Sequence, residues 1–559
     1  MIFVHMQRVR KKHLLNVWKY LPLLIPLFFC FITHAYAVDV TLRWDANTEH
    51  DLSGYKIYYK EGNSGIPYNG RGATEGDSPI NISLQELNNP EQPRYAIHGL
   101  NDNEIYYFLV TAYDMSGKES RYSNRACLNC VELDDPFFDD PLESASLSGL
   151  FFPHIASDGK WETEICIINT SPKLSLRGVL KAYNNSGGTV DSISIALNPK
   201  GRKEIIVGDR FSNPSDISHI AFASSIPSAC GYTKFYIEGR DRVAVPAPSD
   251  FNMGNVYIPH IASDENWTTG IAILNTTSLS RYLTIEFDNG KTKTITVESR
   301  GHVAFNIRSL FDGEPQPNIR SAIMRNMKGM VALELFGGTD DSGYSCMSGI
   351  LLKDETTTKI YFSHITDNSD WWTGFIVHNP SGKSCDLTIT PFSYDGTPLS
   401  PLTLTLEEQE RYIGSMQGLN FPEETAWFQI EATTPISGFE VFSTLDGRQL
   451  GAYRGVDINN KNGVFAKIEK NSETGICFVN VESSWAIVTV IAYDDEGSEV
   501  AREHLDIGPY EKIVGLPSNL FSQDISEATY IEYTSDEDVI GFQLNSSSDG
   551  VMMDALPGM

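Results

Sequence analysis

The sequence predicts an all-β protein built from tandem β-sandwiches, and three observations predict this class. Apolar and polar residues alternate over short segments such as VTLRWDA at Val40, which is the pattern of half-buried strands. Turn pairs such as Asn-Gly and Asp-Gly separate these segments. One motif recurs at His154, His260 and His364, at intervals of 106 and 104 residues. Intervals of this size indicate whole domains in series rather than a short-period solenoid.

The first 37 residues differ from the rest of the chain. A basic segment, QRVRKKH, precedes the apolar run LPLLIPLFFCFI, and the small residues AYA end at Ala37. This order predicts a secretory signal peptide over residues 1–37 that is cleaved near Ala37. The apolar run is too short to span a bilayer comfortably, so we expect no membrane span in the mature chain. A lipidated Cys30 is the alternative, but LFFC lacks the small residues expected before such a cysteine.

The composition excludes one class of partner. The chain of 559 residues carries 43 basic and 72 acidic residues, which gives a formal net charge of −29. Such a surface repels phosphate backbones, so nucleic-acid binding is not expected. A chain this long also needs several separate cores.

Residues 38–126 form the first predicted domain. The segment GLNDNEIYYFLVTAYD fits a Leu-x5-Tyr-x-Phe-x-Val-x-Ala pattern from Leu100 to Ala112, and Trp44 lies on an earlier strand. On these residues the segment resembles a fibronectin type III domain, except that Asp102 replaces the usual proline. The resemblance implies a seven-stranded sandwich with Trp44 in its core and the Tyr106 hydroxyl tied back to the backbone. It implies no chemistry of its own.

An acidic linker, residues 127–149, separates this domain from four copies of one unit. The motif PHIASDGKWETEICIIN at Pro153 recurs as PHIASDENWTTGIAILN, as SHITDNSDWWTGFIVHN and, in a more divergent form, as AKIEKNSETGICFVN. Each copy predicts seven or eight strands and no convincing helix, which is a β-sandwich. The predicted bounds of the four copies are 150–247, 256–353, 360–455 and 463–559.

The four copies resemble an uncharacterised repeat of secreted bacterial proteins, with a His-x-Ala-x3-Trp-x-Thr motif and a later Gly-Phe-Glu strand. That resemblance implies architecture and secretion but no activity. The fourth copy departs from it, since it has Lys467 in place of the histidine and lacks the tryptophan.

The repeated histidines His154, His260 and His364 are interpreted as structural. A metal site would need a second ligand at a fixed spacing, and no such ligand accompanies them. We expect each ring to pack in a sandwich corner and to bond to the backbone.

The tryptophans of the motif are Trp161, Trp267, Trp371 and the additional Trp372. They are candidate ligand contacts, because exposed indole rings at sandwich tips can stack on sugars. The structural alternative is that each ring plugs the end of its own sandwich.

The cysteines suggest two bridges without settling the pairing. Seven remain after signal removal, an odd number that cannot pair fully. Cys127 and Cys130 form either a local bridge or two free thiols, Cys166 with Cys230 is the second candidate disulfide, and Cys477 should be a buried free thiol.

The sequence carries no hydrolase, nucleotide-binding or metalloprotease motif, so no catalytic residue, metal site or cofactor is predicted. Calcium in the acidic loops DDPFFDD and GTDDSG is a weak alternative, because the ordered ligand spacing is missing.

The predicted function is therefore binding, adhesion or scaffolding outside the cytoplasm, as a secreted or cell-envelope protein without catalysis. The expected partner is an extracellular glycan or protein, held weakly at several points along a rod-like array. A diverged enzyme or accessory protein acting on polysaccharide is one alternative, and a pure spacer is the other.

Overall fold

The computed structural model describes residues 4–9, 37–47, 49, 51–61, 68–101, 106–120, 122–123, 126–128, 148–339, 345–366, 370–455 and 460–559. The chain divides into two compact units, residues 1–146 and 147–559. Both are built from antiparallel sheets, so the prediction of an all-β protein with tandem sandwiches is confirmed. The described helices are short: α1 (Val207–Arg210), α2 (Pro517–Leu520) and the 3-10 turns Leu84–Glu86, Pro214–Asp216 and Ile307–Phe311. None of them is long and apolar enough to cross a membrane.

Unit 1 contains two sheets, with strand orders β1-β2-β5 and β4-β3-β6-β7. The strands are β1 (Val4–Val9), β2 (Ala37–Trp44), β3 (Leu52–Glu61), β4 (Ile80–Ser83), β5 (Arg94–Asn101), β6 (Tyr106–Asp114) and β7 (Ala126–Leu128). β1 belongs to the segment predicted as a signal peptide and pairs with β2. Residues 10–36, with the apolar run and Cys30, lie outside the described residues.

Repeat 1 of unit 2 is an eight-stranded sandwich. Its strands are β8 (Ser148–Phe152), β9 (Glu162–Asn169), β10 (Leu176–Tyr183), β11 (Thr189–Leu197), β12 (Arg202–Ile206), β13 (His219–Ser224), β14 (Ala229–Ile237) and β15 (Asp241–Pro246). Numbered within the repeat, strands 4-3-6-1 form one sheet and strands 5-2-7-8 form the other.

The same strand order recurs in three further segments. Repeat 2 has β16 (Val256–Ile258), β17 (Trp267–Asn275), β18 (Arg281–Phe287), β19 (Thr292–Val297), β20 (His302–Asn306), β21 (Ala322–Arg325), β22 (Met330–Thr339) and β23 (Ser345–Leu352). Repeat 3 has β24 (Thr357–Phe362), β25 (Trp371–His378), β26 (Cys385–Phe392), β27 (Leu402–Leu406), β28 (Arg411–Ser415), β29 (Trp427–Thr444) and β30 (Leu450–Arg454). Repeat 4 has β31 (Asn460–Phe465), β32 (Thr474–Asn480), β33 (Ala486–Tyr493), β34 (Glu499–Ile507), β35 (Lys512–Gly515), β36 (Tyr530–Ser546) and β37 (Met553–Pro557). The long strands β29 and β36 each serve as strands 6 and 7.

The four repeats close into a ring within unit 2. The eighth strands contact one another in cyclic order: β15 with β23, β23 with β30, β30 with β37, and β37 with β15. Repeat 4 therefore packs against repeat 1 as well as against repeat 3. The rod-like array expected from the tandem copies is wrong, because each sandwich has two contact faces rather than free ends.

Small residues of the eighth strands line the centre of the ring. Ala244, Gly349, Ala452 and Ala555 occupy one register position, opposite Lys234, Leu335, Val441 and Leu544 of the neighbouring seventh strands. These small residues border a cavity among the four strands. The sequence shows these small residues but not that they face one another.

The hairpin turns between strands 3 and 4 carry the glycines that the turn pairs predict. Gly187, Gly290, Gly396 and Gly497 all have positive φ, between 79° and 88°. Three of these turns also touch the next repeat: a Cβ on Gly187, Gly396 or Gly497 would lie 2.1–2.3 Å from a backbone oxygen there. Gly290 has open space around it.

Apolar clusters lie both inside and between the sandwiches. Repeats 1, 3 and 4 have separate cores, whereas the core of repeat 2 continues into repeat 3. Further clusters join repeat 1 to 2, repeat 3 to 4 and repeat 4 to 1. Burial of this apolar area stabilises the ring as well as the single domains.

Candidate functional site: the loops and interfaces of the ring

The threonine that recurs in the motif closes the loop between strands 1 and 2. The Oγ1 of Thr163 donates to the Ala156 carbonyl at 2.9 Å and accepts from the Ala156 N–H at 2.9 Å. Thr269 and Thr373 make the same pair of bonds in repeats 2 and 3. Within this loop, the Asp158 carboxylate accepts from the Trp161 N–H at 2.8 Å. The motif is therefore a loop-forming pattern that recurs because the fold recurs.

A fully buried asparagine ends strand 2 of every repeat and fixes the 2–3 loop, which we define as the loop between strands 2 and 3. Its Nδ2 donates to a carbonyl in that loop at 2.7–2.8 Å and to a carbonyl of the 4–5 loop at 2.7–2.8 Å. The four residues are Asn169, Asn275, Asn379 and Asn480. Since these bonds satisfy a buried amide, they hold two loops in one geometry.

The 2–3 loops and the strands after them carry exposed apolar side chains that sequence reasoning missed. Trp485 is 63% exposed and Tyr282 is 67% exposed. Leu174, Leu279 and Ile487 are also exposed at this place in repeats 1, 2 and 4. Leu174 and Leu279 lie two residues before strand 3, Trp485 lies directly before it, and Tyr282 and Ile487 are each its second residue. These side chains therefore gather at the start of strand 3 in three repeats, although single apolar side chains on a surface are ordinary. Trp485 lacks the motif around Trp161, so motif matching did not reveal it.

The four predicted tryptophans are half-buried. Trp161 packs against the cluster that joins repeats 1 and 2, and Trp371 against the cluster that joins repeats 3 and 4. Trp267 and Trp372 pack against the cluster shared by repeats 2 and 3. All four rings therefore pack against clusters that span two repeats, and ligand contact through their accessible edges stays a prediction.

The predicted histidines lie between repeats. His154 Nδ1 is 3.2 Å from His302 Nε2 of repeat 2. His260 Nδ1 contacts the guanidinium of Arg411 in repeat 3, and His364 packs against Phe542 of repeat 4. In the first two rings Nδ1 therefore faces the next repeat, and a hydrogen bond from these rings to their own backbone stays a prediction. Burial lowers the pKa of His154 to about 4 and that of His260 to about 3, so both rings are neutral at physiological pH.

The first residue of strand 5 reaches into the preceding repeat around the ring. This position holds Arg202, His302, Arg411 and Lys512. Arg202 donates to the Ala466 carbonyl of repeat 4 at 2.8 Å, and Lys512 donates to the Ala426 carbonyl of repeat 3 at 2.7 Å.

A fully buried polar residue on strand 7 varies together with that strand 5 residue. The strand 7 position holds Thr233, Glu334, Glu440 and Gln543 in chain order. Glu334 lies near Arg411, and Glu440 lies near Lys512. Repeat 1 has Thr233 at this position, and the strand 5 residue that repeat 2 supplies there is His302. Burial raises the pKa of both glutamates, and the neighbouring cation opposes that rise. The interfaces therefore use the same strand 5 and strand 7 positions but place residues of different charge there.

The interface between repeats 4 and 1 is the most ionic. Arg202 donates to Asp495 at 3.0 Å, and Lys467 donates to Glu164 at 3.0 Å. Arg242 of repeat 1 also pairs with Glu469 of repeat 4. Burial alone would raise the pKa of Glu164, but Lys234 and Lys467 hold it below its usual range. No short linker joins these two repeats, so their complementary charges help to specify the closing contact.

A cavity of about 250 Å³ lies among the eighth strands and is mostly apolar. Its charged side chains are already paired: Arg454 donates to Glu355 at 3.2 Å, and Lys353 donates to Asp250 at 2.6 Å. Residues 456–459, which adjoin the cavity in sequence, lie outside the described residues.

The predicted bridge between Cys166 and Cys230 is wrong, since both are free thiols. In the register of β9 and β14, Cys166 lies opposite Tyr232 and Cys230 lies opposite Ile168. The two cysteines are therefore diagonal neighbours on adjacent strands. Diagonal Cβ atoms lie too far apart for a disulfide, which needs about 4 Å. The prediction for Cys477 is confirmed: it is free and buried. No described structure exists for Cys130 or for the side chain of Cys127.

In unit 1, Trp44 and Tyr106 are both buried in the core. The Asn101 N–H donates to the Tyr106 hydroxyl at 3.3 Å, which is the contact expected for this tyrosine. This bond ties the start of β6 to the end of β5.

Where the structure describes the chain, no group of three or more His, Cys, Asp or Glu side chains is placed to hold a metal ion. The two acidic loops considered for calcium lie wholly or mainly outside the described residues.

No protein-family profile and no curated protein sequence matches the chain. Among solved structures, Thermotoga maritima 1070 is 12% identical, covers 18% of this chain and 93% of its own, and has a TM-score of 0.16. A tetra-tandem repeat from the extending region of a large adhesion protein is 10% identical, with 93% and 95% coverage and a TM-score of 0.10. The Bacteroides ovatus protein SGBP-B, solved with a mixed-linkage heptasaccharide, is 14% identical, with 70% and 93% coverage and a TM-score of 0.10. At these TM-scores, none of the likenesses assigns a function to the chain.

Proposed function

We propose that the protein is a non-catalytic glycan-binding or adhesion protein that acts outside the cytoplasm. In this proposal residues 1–37 are a secretory signal peptide, residues 38–126 are a fibronectin type III module, and unit 2 is the binding body. The observation that carries the proposal is the set of exposed apolar side chains at the 2–3 loops and the start of strand 3 in repeats 1, 2 and 4.

The contacts around these loops support a binding role. Trp485 presents an aromatic ring that can stack on the apolar face of a sugar, and Tyr282 does so in repeat 2. Asn275 and Asn480 fix the two loops, so little conformational freedom is lost on binding. A polymer with repeating units can engage several repeats of one ring at once, which strengthens weak single contacts.

The test measures binding of purified residues 38–559 to an array of bacterial and plant glycans. We expect the double variant Trp485→Ala/Tyr282→Ala to weaken binding by about tenfold or more, since two of several linked contacts are lost. Leu445→Ser is the matched control, because Leu445 is as exposed as Trp485, at 63%, but lies outside the 2–3 loops.

Unchanged binding in the double variant would refute the role of these loops. The variants Trp161→Ala, Trp267→Ala, Trp371→Ala and Trp372→Ala, in the same array, test the motif tryptophans. Release of reducing sugar from any bound polysaccharide would favour the alternative of a polysaccharide-active enzyme. Absence of binding to all glycans, with capture of a matrix protein instead, would replace the glycan by a protein partner.

A further inference from the structure

The interface between repeats 1 and 2 contains three histidines that the proposed function does not use. The rings of His154 and His302 stack with centroids 5.2 Å apart, and His219 lies 6.1 Å from His302. His219 and His302 are buried below 5% exposure. The three rings therefore form one layer between two sandwiches.

The hydrogen bonds of this layer determine which ring nitrogens carry a proton. His302 Nδ1 lies 2.9 Å from the Asn185 side-chain oxygen, which can only accept, so Nδ1 carries the proton. In a neutral ring, His302 Nε2 must then accept, and His154 Nδ1 donates to it across 3.2 Å. A further proton on His302 would place two N–H groups face to face.

The groups around the layer do not stabilise added charge. His154 lies against Phe235, and His219 stacks on Tyr183 and bonds to Ser218 at 3.0 Å. The Arg300 carbonyl also accepts from His219. Among the described residues, the histidine that pairs with a carboxylate is His98, in unit 1. Burial accordingly lowers the pKa of His154 to about 4 and of His219 to about 3.

Of the other interfaces, the one between repeats 4 and 1 responds differently to acid. Between repeats 2 and 3, burial and the cation Arg411 lower the pKa of His260 to about 3 and that of His378 to about 4, so acid also weakens this contact. Between repeats 4 and 1 the contacts are ion pairs such as Lys467 with Glu164, and Lys467 replaces the motif histidine. Mild acid leaves this pair intact, because Lys234 and Lys467 hold the pKa of the buried Glu164 carboxyl below its usual range.

We propose that the interface between repeats 1 and 2 is an acid-sensitive joint, which opens when the His154–His302 pair takes up a proton while the contact between repeats 4 and 1 holds. Opening hydrates the rings and lets them bind protons at their ordinary affinity. For His154 alone, a pKa that returns from about 4 to 6.5 favours the open joint about 20-fold more at pH 5 than at pH 7. This device is independent of what the 2–3 loops bind.

The test is amide hydrogen exchange of residues 38–559 at pH 7 and pH 5, corrected for the intrinsic effect of pH. We expect protection of β20 and of the 184–188 turn to fall about 20-fold or more at pH 5, to recover at pH 7, and to stay constant in β12. His302→Gln should reduce the fall, whereas His504→Gln, at an exposed histidine of repeat 4, should not.

Two results would overturn the joint. The first is unchanged protection of β20 at pH 5 in the unmodified chain. The second is an equal loss in β12 and β20, which would mean that the whole ring unfolds. Because the unmodified chain gives both readouts, the test stands even where His302→Gln does not fold.

Discussion

The closing contact between repeats 4 and 1 can be tested with two glycines that share a backbone conformation. Gly497 and Gly290 both occupy the hairpin turn between strands 3 and 4, with φ of 88° and 80°. A Cβ on Gly497 would lie 2.1 Å from the Pro199 carbonyl oxygen of repeat 1, whereas a Cβ on Gly290 meets nothing within 4 Å. Alanine at either site therefore tests the same turn with and without a neighbouring repeat.

The expected magnitudes follow from these distances. Alanine at positive φ costs on the order of 1 kcal/mol in both variants. Gly497→Ala must also displace backbone in a packed interface, and overpacking of this kind adds about 1–3 kcal/mol. We therefore expect Gly290→Ala to lower the free energy of unfolding by about 1 kcal/mol and Gly497→Ala by about 2–4 kcal/mol.

The assay is urea denaturation followed by tryptophan fluorescence, with hydrogen exchange of β12 as a local readout of the interface. Gly396→Ala, whose Cβ would meet Pro509 of repeat 4 at 2.1 Å, should behave like Gly497→Ala. Equal destabilisation by Gly290→Ala and Gly497→Ala, with unchanged exchange of β12, would show that repeats 4 and 1 do not form the closed contact.

Three further predictions concern buried groups. Arg202→Ala should lower the free energy of unfolding by about 1.5–3 kcal/mol, measured by urea denaturation, because it removes a buried guanidinium that donates to the Ala466 carbonyl and pairs with Asp495. Arg502→Ala, at an exposed ion pair, should lower it by less than about 1 kcal/mol, and an equal effect of the two variants would contradict this. Burial raises the pKa of Glu440, so the contribution of this carboxyl to stability is full below pH 4.5 and falls as pH rises. Glu440→Gln should therefore raise the urea midpoint at pH 8 and change it least at pH 4.5. A change in the midpoint that is largest at low pH would contradict this. Burial also raises the pKa of Cys166 to about 12 and that of Cys477 to about 11. Neither thiol should therefore react with a thiol reagent at pH 8 until the protein is unfolded. Rapid reaction of the folded protein would show that the two thiols are accessible.

The recurring motif shows how far sequence reasoning reaches. Its threonine and asparagine form hydrogen bonds to the backbone of nearby loops, so their roles follow from local spacing. Its histidine and tryptophan contact a neighbouring repeat about 100 residues away, so their partners could not be read from the motif. Trp485 shares no motif with the other tryptophans, and only its exposure marks it.

The sequence by itself determined the all-β class, the repeated unit and the positive-φ hairpin glycines. These features depend on alternation and turn chemistry, which are encoded within each copy. Only the tertiary structure decided that the copies close into a ring, that His154 meets His302, and that Cys166 and Cys230 stay apart. Each of these depends on which faces of separate sandwiches are complementary in shape and charge, and complementarity between distant surfaces leaves no period in the sequence.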